Sequence, residues 1–408
     1  MAQKHQGTEM SNQRFIIMIF NCVMIITAIT LAIMFGILGY GRLQGPQHFS
    51  LYDFNVFYLA GKTWLSGLNA YDATTACNQV VGLWNPESYD FAYPPHSAFL
   101  FMLLSVTNFE YSKLLLINLN IFCIIGFAYL CLKIYNFADD RKHYFLLDLK
   151  SSLLISIIVG NSVVTNVLWV GQTSIILSTA LLASYYFYIR GREIRSGIFL
   201  AIALMKPQLA FTFLLWLLLE KKWKTLATSI ISVVILSIVP ISNRGIMNTI
   251  LDWMHAMDNY LRTGSSVGTW NLFGIQSALY DFGFQINTSI ITICSILLVI
   301  IIHHFVGNIN IFNLLGILTI IGFLFGRAAH QYDIIIVVSI LPYYLRKISK
   351  SDLKKMLFLL LVVAIIIFPR NLLYLSDYRI LHHHREIVLV IVLLFLLLGR
   401  EERQPLPV

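Results

Sequence analysis

The chain has 408 residues, 58% of them apolar and only 12% charged, with a mean hydropathy of +0.74. Soluble domains carry about 25% charged residues, so this composition excludes a set of water-soluble domains and points to an all-α polytopic membrane protein. Net charge is +9, from 29 Lys+Arg against 20 Asp+Glu. The basic residues fall in short clusters between apolar runs, as cytoplasmic loops facing anionic lipid do, so no nucleic-acid partner is expected.

The first element expected is a span over 15–38. Its apolar run is far longer than the 7–15 residues or so of a signal-peptide core, and no small-x-small cleavage site follows it. An external loop with interfacial helices is expected over 39–110. The apolar segment Ser97–Val106 within it has about ten residues, too few to cross a bilayer as a helix. Core spans are expected over 111–241, a second external loop over 242–286 and C-terminal spans over 287–400, all within one integral membrane domain. One run, Ile198–Leu219, is interrupted by Lys206-Pro207. Proline removes a helix hydrogen bond and an unpaired lysine at mid-membrane is costly, so the run reads as two short crossings. With that split, about 19 of the 29 Lys+Arg lie on the cytoplasmic side, as the positive-inside rule prefers. The count is about twelve transmembrane helices with both termini cytoplasmic. The loops at 39–95 and 242–286 and the turns at Arg327–Gln331 and Ser376–Arg385 then share one external face, which Lys206 and Gly171-Gln172 approach.

The cysteines carry little. Cys22, Cys123, Cys131 and Cys294 lie inside apolar runs and Cys77 stands alone in a loop, without disulfide or zinc spacing.

Candidate chemistry begins at Asp53, which precedes an amphipathic stretch containing Val56, Phe57, Leu59, Ala60 and Trp64. Two readings are open. Asp53 caps a helix, or it is a carboxylate held at the membrane surface to take a proton from a hydroxyl. Phe91-Ala92-Tyr93-Pro94-Pro95-His96 stiffens the chain ahead of the short apolar helix, and its aromatic rings could line a sugar or isoprenoid site. Lys206, Arg327 and His330 are costly in lipid unless they face a cavity or a partner. Together the cations would suit a phosphate, although Arg327 alone could simply snorkel to the headgroups. His330 could shuttle a proton or orient a carboxylate. In His382-His383-His384, adjacent side chains point in different directions on a helix, which argues against a metal site. Arg244, Arg262, Trp270 and Asn271 are compatible with a lid. No phosphate-binding loop, dinucleotide fingerprint or HExxH is present.

In order and spacing these segments resemble glycosyltransferase family 87, the polyprenol-phosphate-mannose-dependent mannosyltransferases of the C-type superfamily. The resemblance runs through Asp53-Phe54, Phe57-Tyr58-Leu59-Ala60, Gly67, Tyr71-Asp72, Tyr93-Pro94-Pro95, Gly171-Gln172, Gly197, Lys206-Pro207 and His330. It implies a C-type fold with an external active site, a sugar donor linked to polyprenyl phosphate, and a lipid or glycan acceptor, in a bacterial inner membrane. By similarity Asp53 is the catalytic base and His330 the histidine near the site, while Lys206, Arg327, Tyr93 and Gln172 are candidates for donor binding. No cofactor is implied, and divalent-metal dependence stays open because some relatives in the wider superfamily use such an ion. A single external carboxylate suits inversion at the transferred carbon, whereas a retaining site would want two about 5–5.5 Å apart. Asp72 and Asp90 are the candidates for a second. A lipid or solute transporter and a non-catalytic subunit of a glycan assembly complex are the alternatives.

Overall fold

The computed structural model describes residues 2–35, 51–137, 148–262, 272–305, 309–326, 329–347, 353–367 and 379–398. Helix α1 (Ala2–Phe35) contains the apolar stretch Phe15–Met34. Most of its large apolar side chains face outward, the pattern of a helix solvated by lipid. The first loop then folds into α2 (Tyr52–Leu65), α3 (Ala73–Cys77), two short 3-10 turns (Pro86–Ser88, Pro95–Ser97) and α4 (Ala98–Leu104). Helix α4 is short, as expected for a segment that does not cross. It packs tightly on α2, where a Cβ on Gly61 would overlap the Phe101 carbonyl and the Ser105 hydroxyl. The rings of Phe57, Trp64, Tyr71, Phe91, Tyr93 and Phe101 interlock over this contact at centroid distances of 4.9–6.0 Å. The loop is therefore a packed unit with its own aromatic core.

Helix α5 (Phe109–Phe137) returns through the apolar layer. Helices α6 (Leu149–Val159) and α7 (Ser162–Val170) follow, parted only at Gly160-Asn161, where the Asn161 side chain caps α7 by accepting from the Val164 N–H at 2.9 Å. Next come α8 (Ser174–Ile189), α9 (Glu193–Ala203) and α10 (Pro207–Leu219). The expected interruption lies between the last two: Lys206 occupies the N-cap of α10 and Pro207 its first position, where the missing N–H is not needed. Helices α11 (Trp223–Leu236) and α12 (Ile238–Arg244) are bent by 57° against each other. They lead to α13 (Ile246–Arg262), the amphipathic helix of the second loop.

Beyond it lie β1 (Leu272–Phe273), α14 (Ile275–Asp281), α15 (Thr288–Phe305), α16 (Ile311–Phe325) and β2 (Ala329–His330). The two-residue strands pair antiparallel, Leu272 opposite His330. A 3-10 helix, Gln331–Ile340, then runs for ten residues, with only Tyr332 not fully buried. Such runs seldom exceed 3–4 residues or so. It continues into α17 (Leu341–Lys347), followed by α18 (Leu353–Ile367), α19 (Arg379–His382) and α20 (His384–Leu398). The 3-10 helix packs against α8 and α16, and α10 also packs against α16.

The all-helical membrane architecture is present. Among the described residues, three helices can cross a membrane by length and composition, Phe15–Met34, Phe109–Ile134 and Leu149–Val170, and the bent pair α11–α12 makes a fourth if counted as one span. The remaining apolar helices of 10–17 residues include Ser174–Ile189, Pro207–Leu219, Ser289–Phe305 and Ile311–Phe325. For the described residues these lengths do not by themselves establish the expected twelve, because helices such as Pro207–Leu219 are shorter than the roughly 20 residues of a full helical crossing.

Candidate active site

Helix α2 begins at Tyr52 with Leu51 in its N-cap place, and no side chain caps it. Asp53 is therefore not the cap; it stands in the first turn, and its Oδ2 accepts a 2.6 Å hydrogen bond from Gln172 Nε2. Leu51 is held in the left-handed region at φ 52°, costly for a residue with a branched side chain. Across from it Gly171 ends α7, also left-handed at φ 77°. A Cβ there would sit 2.9 Å from Leu51 Cβ and 3.0 Å from Phe54 Cβ. Glycine thus permits both the turn and the close approach that bring Gln172 onto Asp53.

Gln172 is fixed on several sides. Its backbone carbonyl accepts from Asn120 Nδ2 at 3.1 Å. Its Oε1 accepts from Tyr93 OH at 3.3 Å and from Lys206 Nζ at 3.4 Å. With its oxygen facing a cation, the amide must present its N–H to Asp53.

Lys206, expected to need a partner, has one. Its Nζ donates to Asp333 Oδ1 at 2.8 Å and to Ser174 Oγ at 2.7 Å, and lies over the Tyr332 ring at 4.8 Å. An ammonium has three hydrogens to donate, and Gln172, Ser174 and Asp333 accept all three. Lys206 is 4% exposed and Asp333 0%. Both oxygens of the Asp333 carboxylate are engaged as well: Oδ1 also accepts from Ser174 Oγ at 2.6 Å, and Oδ2 accepts from the His330 N–H at 3.2 Å. Asp333 is the residue the sequence reading missed. The signal was present, a carboxylate three residues after His330 and a buried lysine without a mate, but only the fold pairs 206 with 333.

His330 sits at the junction of β2 and the 3-10 helix, stacked on Tyr332 at 4.9 Å, with Nε2 2.8 Å from Tyr260 OH on α13. A cavity of about 820 Å3 joins these groups. Asp53, Tyr93, Gln172, Lys206 and His330 all line it, so the structure brings together five of the six residues singled out. Arg327 lies outside the described residues, as do Trp270 and Asn271. The first loop lines it with Trp84, Ser88 and Asp90, and the apolar helices line it with Phe211 on α10, Thr292 and Ser295 on α15, and Phe325 on α16.

Burial raises the Asp53 carboxyl above its ordinary value, opposed by the Gln172 bond and the Lys206 charge. Burial likewise holds the Tyr93 phenol well above the usual tyrosine range, so it stays protonated. Of the other loop carboxylates, Asp72 caps α3, accepting from the Thr75 N–H at 2.6 Å, whereas Asp90 shares the cavity with Asp53. His383 approaches Asp281 at 3.1 Å. Among the described residues no group of three or more His, Cys, Asp or Glu is arranged to hold a metal ion.

Helices of membrane length surrounding a cavity lined by Asp53, Gln172, Lys206 and His330 define a membrane-embedded protein with a candidate active site. The model of glycosyltransferase family 87 matches residues 91–333, more than half of the chain, and the chain belongs to that family. It is accordingly a glycosyltransferase. Asp53 precedes the matched stretch, while Tyr93, Gln172, Lys206, His330 and Asp333 fall inside it. No curated protein and no solved structure matches the chain.

Proposed function

We propose that the protein moves a hexose, mannose being the sugar its family resemblance implies, from a polyprenyl-phosphate donor to a hydroxyl of a lipid or glycan acceptor. The reaction takes place on the external face of the membrane and inverts the transferred carbon. The observation that carries this reading is the state of Asp53. One carboxylate oxygen is anchored by Gln172, and the other has no hydrogen bond among the described residues, on a side chain that lines the cavity. A carboxylate held in that way, with its proton affinity raised by burial, suits a general base.

In the proposed step the acceptor oxygen attacks the anomeric carbon and its proton passes to Asp53 Oδ1. The bond from that carbon to the donor phosphate breaks, and its electron pair leaves on the phosphate oxygen. Phe211 and Phe325 offer an apolar wall for the isoprenoid chain, with the sugar-phosphate end directed toward Asp53 and His330. Arg327 is the candidate to meet the charge that develops on the phosphate. Lys206 would meet it only by giving up one of its three protein acceptors, so we assign it first to orienting Gln172.

The test is a transfer assay on the purified full-length protein, with labelled polyprenyl-phosphate mannose and a total lipid and glycan extract. Label is expected in a new product with the wild type and not with Asp53→Asn, with the product anomer inverted and activity retained in excess chelator. Equal transfer by both proteins would remove Asp53 as the base. A retained anomer would overturn the single displacement, and loss of activity in chelator would require a metal.

A further inference from the structure

Helix α13 divides its circumference three ways. At about 100° per residue, Thr249, Trp253, Ala256, Met257 and Tyr260 share one arc, which faces the protein. Trp253, Met257 and Tyr260 line the cavity, and Trp253 Nε1 donates to the Ala92 carbonyl at 3.1 Å. A second arc carries Asn248, Asp252, His255 and Asn259. The third carries Met247, Ile250, Leu251 and Met254, with Ile246 at its border with the first; these five are 42–69% exposed, and the exposed Asp258 ends the apolar face toward the C-terminus of the helix. A helix wholly in water has no use for five adjacent exposed apolar side chains, and a spanning helix has no use for the polar arc.

We propose that α13 is seated in the membrane interface, with the Ile246–Met254 arc among the acyl chains of the leaflet on the Asp53 side. Its inner arc at the same time forms a wall of the reaction cavity. Two observations favour lipid over a protein occupant. The exposed apolar surface is continuous with that of the preceding helices, through Ile231, Val234, Ile235 and Ile238. The helix is also pinned at a fixed height, because Asp252 Oδ2 accepts from Asn69 Nδ2 and from Arg244 Nε, each at 3.1 Å. The helix that touches lipid therefore also holds Tyr260 against His330. Lipid seating and cavity shape are mechanically one feature.

The experiment uses the full chain in lipid nanodiscs, with p-benzoylphenylalanine placed at Met254 and, separately, at Ile250. Irradiation is expected to yield acyl-chain adducts at both positions, read by mass spectrometry. A charged maleimide should modify Asn248→Cys and Asn259→Cys and leave Met254→Cys untouched. Cross-links to a second copy of the chain, or maleimide modification of Met254→Cys, would overturn the placement. Neither readout requires catalysis, so both stand or fall apart from the proposed reaction. For the coupling to the cavity, Met254→Asp is expected to lower transfer in nanodiscs about tenfold, as a charge is driven out of the lipid. Met254→Leu should stay within about twofold, because it preserves the apolar seat. Full transfer by Met254→Asp would break the coupling.

Discussion

Two carboxylates end the same chain of contacts, one in the first loop and one in the helical core, and they are built differently. Asp333 is wholly buried, and both of its oxygens are engaged by Lys206, Ser174 and the His330 N–H. Asp53 is held by one bond from Gln172 and otherwise faces the cavity. A carboxylate buried with both oxygens engaged is withdrawn from a substrate, whereas one with an open oxygen in a cavity is costly to keep and useful to have. The contrast assigns structure to the core end and chemistry to the loop end. Lys206 and Gln172 transmit position from one to the other.

The sharpest way to break this contrast is to neutralise each end in turn. Asp53→Asn should keep the fold and lower transfer by about 10³-fold, within the range for removal of a general base. The stability sign is definite. A carboxyl whose folded pKa is raised binds its proton more tightly in the folded state, so its favourable contribution is full below its unfolded value of 3.8. That contribution is lost as pH rises through the folded value. At neutral pH Asp53 therefore costs stability, and thermal unfolding of Asp53→Asn should come no earlier than that of wild type. Lower stability together with full activity would reverse the assignment.

At the other end, Lys206→Met leaves Asp333 buried without its cation. The expected loss is about 3–5 kcal/mol, the usual cost of breaking a buried pair from one side. It would be read as early unfolding in detergent, and the double variant Lys206→Met with Asp333→Leu should recover most of it. If the double variant is stable yet transfers sugar poorly, with KM little changed, Lys206 acts by positioning Gln172. A rise in donor KM alone would instead make Lys206 a donor contact.

Much of this was legible in the residues and some was not. The Lys206-Pro207 break could be read because proline and lysine are each unfavourable within an apolar helix, and the structure breaks there. The short helix after Pro95 could be read from length alone. The carboxylate at Asp53 could be singled out but not distinguished from a cap, because that depends on whether helix α2 starts before or after it. Leu51 in a left-handed conformation is not something a sequence announces. Asp333 was hidden for another reason: its partner lies 127 positions away, and no periodicity joins them. The twelve-span count came from apolar runs, with charge deciding the ambiguous ones, and charge orients loops but does not say how an apolar run of 13 or 15 residues is seated.

Between the two ends stands Gly171, where alanine would face both a left-handed backbone and two side chains within about 3 Å. Gly171→Ala should cost about 1–2 kcal/mol of stability from the backbone alone. Displacing Gln172 from Asp53 should also reduce transfer roughly tenfold, an effect of geometry on a positioned group. Asp53 sharpens the comparison in a second way, through pH. Because burial lifts its carboxyl, the acid limb of kcat/KM should fall at a higher pH than an ordinary carboxylate near 4 would give. Gln172→Leu removes a bond that opposes the lift and should move that limb higher still. An acid limb that ignores Gln172 would detach the relay from the base.

The smallest expected effect lies at Tyr260. Burial pushes its phenol up, so at working pH it remains an O–H and meets His330 Nε2 as a neutral hydrogen-bond partner at 2.8 Å. Tyr260→Phe keeps the ring that lines the cavity and removes the hydroxyl that meets His330, a bond worth roughly 1 kcal/mol and so about fivefold in kcat. If His330 is held ready by α13, the loss should appear in kcat with KM nearly constant, and His330→Ala should make the Tyr260 substitution silent. If the two substitutions instead add independently, Tyr260 acts on the substrate and not through His330. The cavity would then have a reactive wall on the lipid-seated helix, comparable to the one Asp53 provides from the first loop.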